Sequence, residues 1–172
     1  MHIDLASVPR RTTEPARRAL NRPRPHRLPG MATPLPAPSA RLRRERRRAG
    51  LVLIVDDSVH TRELYAEYLT YRGLGVVGAP DAETGLALAQ SLRPDIIVMD
   101  IAMPGVNGIA ATQRLRQNPR TRRIPVIVLT GYAFRAIEQG ALEAGADEFL
   151  TKPCLPEDLE LKIRALLGPR DA

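Results

Sequence analysis

Leu51-Val52-Leu53-Ile54-Val55-Asp56-Asp57-Ser58 is the stretch on which the fold turns. Five consecutive apolar, mostly β-branched residues leave no polar face, so they fit a strand covered on both sides. Two aspartates end the run, and with Ser58 they supply side chains that open a helix. Asp95-Ile96-Ile97-Val98-Met99-Asp100 repeats the pattern, an apolar run closed by a carboxylate. Ile124-Pro125-Val126-Ile127-Val128-Leu129-Thr130 repeats it with a hydroxyl at the end, Pro125 being tolerable only near the strand's start.

Helical periodicity fills the intervals. Leu64, Tyr65, Tyr68 and Leu69 form an apolar stripe stopped by Gly73, and Val76-Val77-Gly78 reads as a weaker strand. Asp81 caps a helix with Ala82, Leu86 and Ala89 on one face, and a turn rich in Pro and Gly after Asp100 leads to a helix over about 108–117. A helix over about 133–144 ends at Gly145, Asp147–Lys152 is a short fifth strand, and Leu159, Ile163, Leu166 and Leu167 line a final helix. Five βα units joined by right-handed crossovers predict an α/β protein, a five-stranded parallel sheet with helices on both faces. Ligands of such sheets bind beyond the carboxyl ends of the strands. Asp56, Asp57, Asp100, Thr130 and Lys152 all stand there.

Charge divides the 172 residues into two unlike parts. Residues 1–50 carry 13 arginines against Asp4, Glu14 and Glu45, while the remainder carries 13 basic and 16 acidic residues. Proline-rich pieces such as Asn21–Gly30 and Thr33–Ser39 cannot hold a helix, and few apolar residues offset the entropy of ordering them. The expectation is a disordered Arg/Pro-rich extension over 1–49, with a solvated helix conceivable at Arg41–Arg48, or an overcalled start, since Met31 could begin a shorter product. Such an arm could hold nucleic-acid phosphates or an anionic membrane surface. Residues 1–50 contain no Tyr, Phe or Trp, so no stacking platform supports base recognition, and the unstructured reading ranks first. One cysteine excludes an internal disulfide framework and a multi-cysteine zinc site. No apolar run is long enough to span a bilayer, and Arg10-Arg11 lacks the apolar region of an export signal, so a cytoplasmic location is expected.

The chemistry follows from the converging groups. Carboxylates so close repel unless a cation intervenes, and hard oxygen ligands at this charge density suit Mg²⁺. A metal-held carboxylate can attack a phosphoryl group, with a hydroxyl and an ammonium neutralising the developing charge.

In order and spacing, Asp56-Asp57, Asp100-Ile-Ala-Met-Pro-Gly-Val-Asn-Gly108, Thr130-Gly131 and Gly145-Ala-Asp-Glu-Phe-Leu-Thr-Lys-Pro153 resemble the receiver domain of the response regulators of bacterial two-component systems. The resemblance covers residues 51–167 and implies a flavodoxin-like doubly wound (βα)5 domain at 50–168, followed by a short tail at 169–172. It implies that Asp100 is the phosphoacceptor, that Asp56, Asp57, Asp100 and the Ala102 carbonyl hold Mg²⁺, with Asp56 acting largely through water, and that Lys152 pairs with the phosphoryl group through a segment whose Lys152–Pro153 bond is cis. Thr130 and Phe149 would form the switch. Ala102 and Tyr132 would set the lifetime of the phosphoryl group, since Ala102 cannot orient a water and Tyr132 crowds its approach.

Only Gly168–Ala172 follow the final helix, so a single-domain regulator without a C-terminal output domain is expected. It would take phosphate from a sensor histidine kinase or phosphotransfer protein. It would signal to a downstream protein through the helix at 133–144, the fifth strand and the last helix, and would be no enzyme beyond its own phosphorylation and dephosphorylation. The alternatives are a degenerate receiver that only binds protein, and a nucleic-acid-binding regulator acting through residues 1–50. A haloacid-dehalogenase-like phosphatase needs an acid two residues after its nucleophile, where this chain has Ala102.

Overall fold

Strands and helices alternate without interruption over residues 50–169, the part of the chain that the computed structural model describes. The extension over 1–49, with the helix considered at Arg41–Arg48, and residues 170–172 lie outside the described residues. The elements are β1 (Leu51–Val55), α1 (Val59–Tyr71), β2 (Gly75–Ala79), α2 (Ala82–Leu92), β3 (Ile96–Met99), α3 (Gly108–Gln117), β4 (Val126–Thr130), α4 (Arg135–Glu143), β5 (Glu148–Thr151) and α5 (Pro156–Leu167). All strand pairs are parallel, in the order β2-β1-β3-β4-β5. The chain winds outward from β1 in one direction and then the other, which opens a crevice between the carboxyl ends of β1 and β3.

The unbroken apolar runs are explained by burial on both sides. Leu53, Val55, Ile97 and Met99 pack with Leu86, Ala89, Ala111 and Leu115 of α2 and α3. The alternate residues Val52, Ile54, Ile96 and Val98 pack with Tyr65, Leu69, Leu159 and Ile163 of α1 and α5. Three helix starts are capped as their residue types suggest: the side chains of Ser58, Asp81 and Asn107 accept from the amides of Thr61, Thr84 and Ala110. After α4, Gly145 adopts φ +100°, the left-handed turn expected of it.

Three details depart from the sequence pattern. Leu64 is 54% exposed, although Tyr65 and Leu69 beside it are buried. The four apolar residues of α1 cover an arc of about 140° at 3.6 residues per turn, and Leu64 lies at its border, rotated out of the sheet contact. β4 begins at Val126 rather than Ile124, because Pro125 stands before the ladder and lends only its carbonyl to the Ile97 amide. α4 begins at Arg135, where the N-cap residue Phe134 makes no side-chain capping bond.

A charged cluster joins the two helices of one face. Buried Glu160 on α5 accepts from Arg72 (2.9 Å) and Tyr68 (3.1 Å) at the end of α1 and from Arg164 (2.7 Å) one turn on. Burial works against its charge, but the bonds from Arg164, Arg72 and Tyr68 outweigh it and hold the carboxyl below the ordinary glutamate range. A lowered folded-state pKa stabilises the fold above the unfolded value of about 4.3 and ceases to do so as pH falls through the folded value. Glu160→Gln is therefore expected to unfold at lower denaturant concentration than wild type at pH 7, with the gap closing below about pH 4. A gap that stays constant to pH 3 would deny the carboxylate this role.

Candidate functional site

Strand register brings the polar groups to one level. Val55 pairs with Met99, so Asp56 and Asp100 leave their strands side by side, and the Asp100 amide donates to the Val55 carbonyl at 2.8 Å. Thr130 pairs with Thr151, so Lys152 follows directly, its amide donating to the Thr130 carbonyl at 2.8 Å. One carboxylate oxygen from each of Asp56, Asp57 and Asp100 lies within 4.8 Å of the others. Lys152 Nζ donates to Asp56 Oδ2 at 2.6 Å and to Asp100 Oδ2 at 3.0 Å.

Asp56 and Asp100 are buried and Asp57 is exposed, so two carboxylates form the floor and one the lip. The Ser58 amide donates to Asp56 Oδ1 (2.9 Å) and the Ala102 amide to Asp100 Oδ1 (3.2 Å), which orients both groups. Burial alone would lower the Lys152 pKa, but its bonds to Asp56 and Asp100 more than offset this and raise it, so the side chain is an ammonium. A single ammonium faces three carboxylates, leaving a net negative pocket of hard oxygens. That donor set fits a small divalent cation such as Mg²⁺.

Thr130 is fully buried, and its Oγ accepts from the Tyr132 amide at 3.3 Å, leaving the hydroxyl proton free to donate. Phe149 is half-buried on β5 and packs with Ile101, Val128, Ala141 and Ala146 beneath α4. Ala102 and Tyr132 are exposed at the mouth. The Lys152–Pro153 peptide bond is cis. His60 is exposed, and Cys154 is half-buried and free.

Two supports lie outside the motif residues, and a third is a motif residue with a part that spacing alone does not give. The Arg62 guanidinium donates to the Asp56 carbonyl at 2.6 Å, pinning the β1–α1 turn from within α1. The Tyr65 hydroxyl, pushed up to about 12 mainly by burial, donates to the Cys154 carbonyl at 2.9 Å and ties down the segment that carries Lys152. Gly108 lies against the backbone of Asp100, where a Cβ would collide with the Asp100 carbonyl oxygen. Sequence reading assigns Gly108 only turn geometry. Its signal, a glycine opening a helix soon after the strand that ends at Asp100, points to close approach as readily.

Parallel order, switch-point crevice and acidic pocket define a doubly wound α/β domain with a carboxylate-rich site at the carboxyl edge of its sheet. Residues 52–164 match the response regulator receiver domain model, and the chain belongs to that family. The chain is 38% identical over 120 residues to the DNA-binding dual master transcriptional regulator RpaA of Synechocystis, covering 70% of this chain and 50% of that protein. It is also 38% identical over 123 residues to an uncharacterized 14.6 kDa protein of Leptolyngbya boryana, covering 70% of this chain and 94% of the relative. The crystal structure of the chemotaxis protein CheY4 of Vibrio cholerae superposes with a TM-score of 0.65 at 31% identity, covering 68% of this chain and 98% of that one. The chain spans about half the length of several curated relatives it matches. No helix among the described residues is long and apolar enough to cross a membrane.

Proposed function

We propose that this chain is a phosphoryl-accepting response regulator in which Asp100 takes a phosphoryl group from the phosphohistidine of a sensor kinase or phosphotransfer protein. The observation that carries the reading is the meeting of three carboxylate oxygens within 4.8 Å beneath an ammonium bonded to two of them. An Asp100 carboxylate oxygen forms the new P–O bond as the donor's P–N bond breaks, and the histidine nitrogen leaves with the electron pair. Asp56, Asp57, Asp100 and the Ala102 carbonyl would hold Mg²⁺, which when bound supplies positive charge beside the transferring group. Lys152 would follow the phosphoryl oxygens, and the free proton of Thr130 would be donated to one of them. The inward pull on Thr130 would let Phe149 repack under α4, altering the face of α4, β5 and α5 that a downstream protein reads.

The test is incorporation of phosphate from acetyl phosphate with and without Mg²⁺, with the modified residue located by mass spectrometry. Mg²⁺-dependent modification at Asp100 is the expected result. A folded protein that takes up no phosphate, from this donor or from a kinase, would be a binding module only.

The lifetime of the product should be long. Ala102 offers no polar side chain to orient water, and Tyr132 stands half exposed at the mouth. Ala102→Asn combined with Tyr132→Glu is expected to shorten the phosphoryl half-life by about tenfold, roughly 1.4 kcal/mol in barrier. An unchanged half-life in a chase after donor removal would remove these residues from that role.

A further inference from the structure

The edge of the sheet opposite the acidic pocket carries a second charged feature that phosphoryl transfer does not use. Between α3 and β4 the chain reads Asn118-Pro119-Arg120-Thr121-Arg122-Arg123. This loop is firmly held from beneath. The Arg120 amide donates to Asn118 Oδ1 (2.9 Å), and the Thr121 and Arg122 amides donate to the Asn118 carbonyl. Thr121 is fully buried, its hydroxyl donating to the Leu115 carbonyl at 2.9 Å. Arg116 donates to the carbonyls of Arg122 (3.1 Å), Ile124 (2.7 Å) and Gly145 (2.8 Å) and to Asp147 (2.8 Å).

Arg120, Arg122 and Arg123 point the other way. All three are exposed, and none has an ion pair or side-chain hydrogen bond among the described residues. The carboxylates at this edge are engaged elsewhere: Asp147 accepts from Arg116 and the Val126 amide, and Asp95 accepts from the Leu51 amide. Three guanidinium groups without a partner among the described residues, carried within four residues on one held loop, concentrate like charge and repel one another. An anionic partner relieves that repulsion at little ordering cost, because the loop is ordered beforehand. The chain also enters the domain at Gly50 on this same edge, after a segment with 13 arginines and three acids.

We propose that the α3–β4 loop, through Arg120, Arg122 and Arg123, docks the phosphate backbone of a nucleic acid without reading its sequence. Guanidinium forks match phosphate oxygens bidentately. The loop exposes no aromatic or large aliphatic side chain, since Leu115 and Ile124 are buried. It therefore lacks the wedge that would enter a bilayer and the apolar anchor that would centre a protein interface. The same lack denies it base stacking, which makes the contact electrostatic. Asp100 lies on the opposite edge, so a docked polyanion would leave the pocket open.

The experiment measures binding of the full chain to a mixed-sequence DNA duplex of about 20 base pairs across a salt series. Wild type is compared with R120A/R122A/R123A and with the charge-keeping R120K/R122K/R123K. Each phosphate contact contributes about 0.9 to the slope of log affinity against log salt, so the alanine variant is expected to lose roughly 2–3 from that slope and at least about tenfold in affinity. The lysine variant is expected to keep most of both. Equal slopes for wild type and the alanine variant would overturn the proposal and assign the binding to residues 1–49. No binding of the duplex by wild type would also overturn it, as would loop-dependent binding to phosphatidylserine vesicles in its place. Phosphate uptake at Asp100, measured on the same samples, is expected to be equal in all three proteins, so failure here is distinguishable from failure of the receiver reading.

Discussion

Asp100→Asn is expected to abolish phosphate uptake from acetyl phosphate while raising the melting temperature of the metal-free protein. The loss follows from chemistry, because an amide oxygen is no nucleophile toward a phosphoryl group. The gain follows from electrostatics. Three carboxylates with oxygens within 4.8 Å of one another share a single ammonium, so the folded state carries uncompensated like charge. Asparagine keeps the volume and one of the two acceptor oxygens, which take bonds from Lys152 and from the Ala102 amide in wild type, while one negative charge disappears. Relief of about 1 kcal/mol, or roughly 4 °C in Tm for a domain of this size, is the expected scale. The further rise in Tm that Mg²⁺ gives wild type should shrink in the variant. Phosphate uptake that persists at the same rate would move the acceptor elsewhere, and a fall in metal-free Tm would refute the repulsion.

Lys152→Ala is expected to do the reverse to stability. Its ammonium lies 2.6 Å from Asp56 and 3.0 Å from Asp100, and the two carboxylates are buried while the lysine side chain is 24% exposed. Removing the cation leaves two buried anions facing each other, a loss of about 3 kcal/mol, at the low end for a buried pair because water reaches the lysine. Mg²⁺ neutralises the same oxygens, so adding it should narrow the gap to wild type far more than NaCl of equal ionic strength. Phosphate uptake at saturating Mg²⁺ should fall about 10²-fold, the usual cost of removing one donor to developing charge. A variant as stable as wild type without metal would show that water already compensates the pair.

The gathering of Asp56, Asp57, Asp100, Thr130 and Lys152 at one edge is legible in the sequence because they sit at the ends of strands whose apolar runs are unmistakable. Leu51–Val55 and Ile96–Met99 are buried on both faces, and such runs have little choice of structure. Once the strands are aligned in parallel, the residues after each one must gather at a common edge. The supports were hidden for the opposite reason. Tyr65 reaches a carbonyl 89 residues away, and Arg72 and Tyr68 reach Glu160 across 88 and 92. Periodicity records only which residues face inward, and in α1 it could not distinguish Leu64 from Tyr65 at the border of a broad apolar arc. The start of α4 was misplaced by two residues because Phe134 offers no capping side chain to mark it.

Gly108 carries no side chain, yet it touches the peptide unit of Asp100, the acceptor proposed above. Its missing side chain lets the first turn of α3 rest on the carbonyl of Asp100. A selection that scored every substitution in this chain for phosphate uptake is therefore expected to rank Gly108 beside Asp100. Asp100 would be intolerant for what its side chain does, and Gly108 for having none.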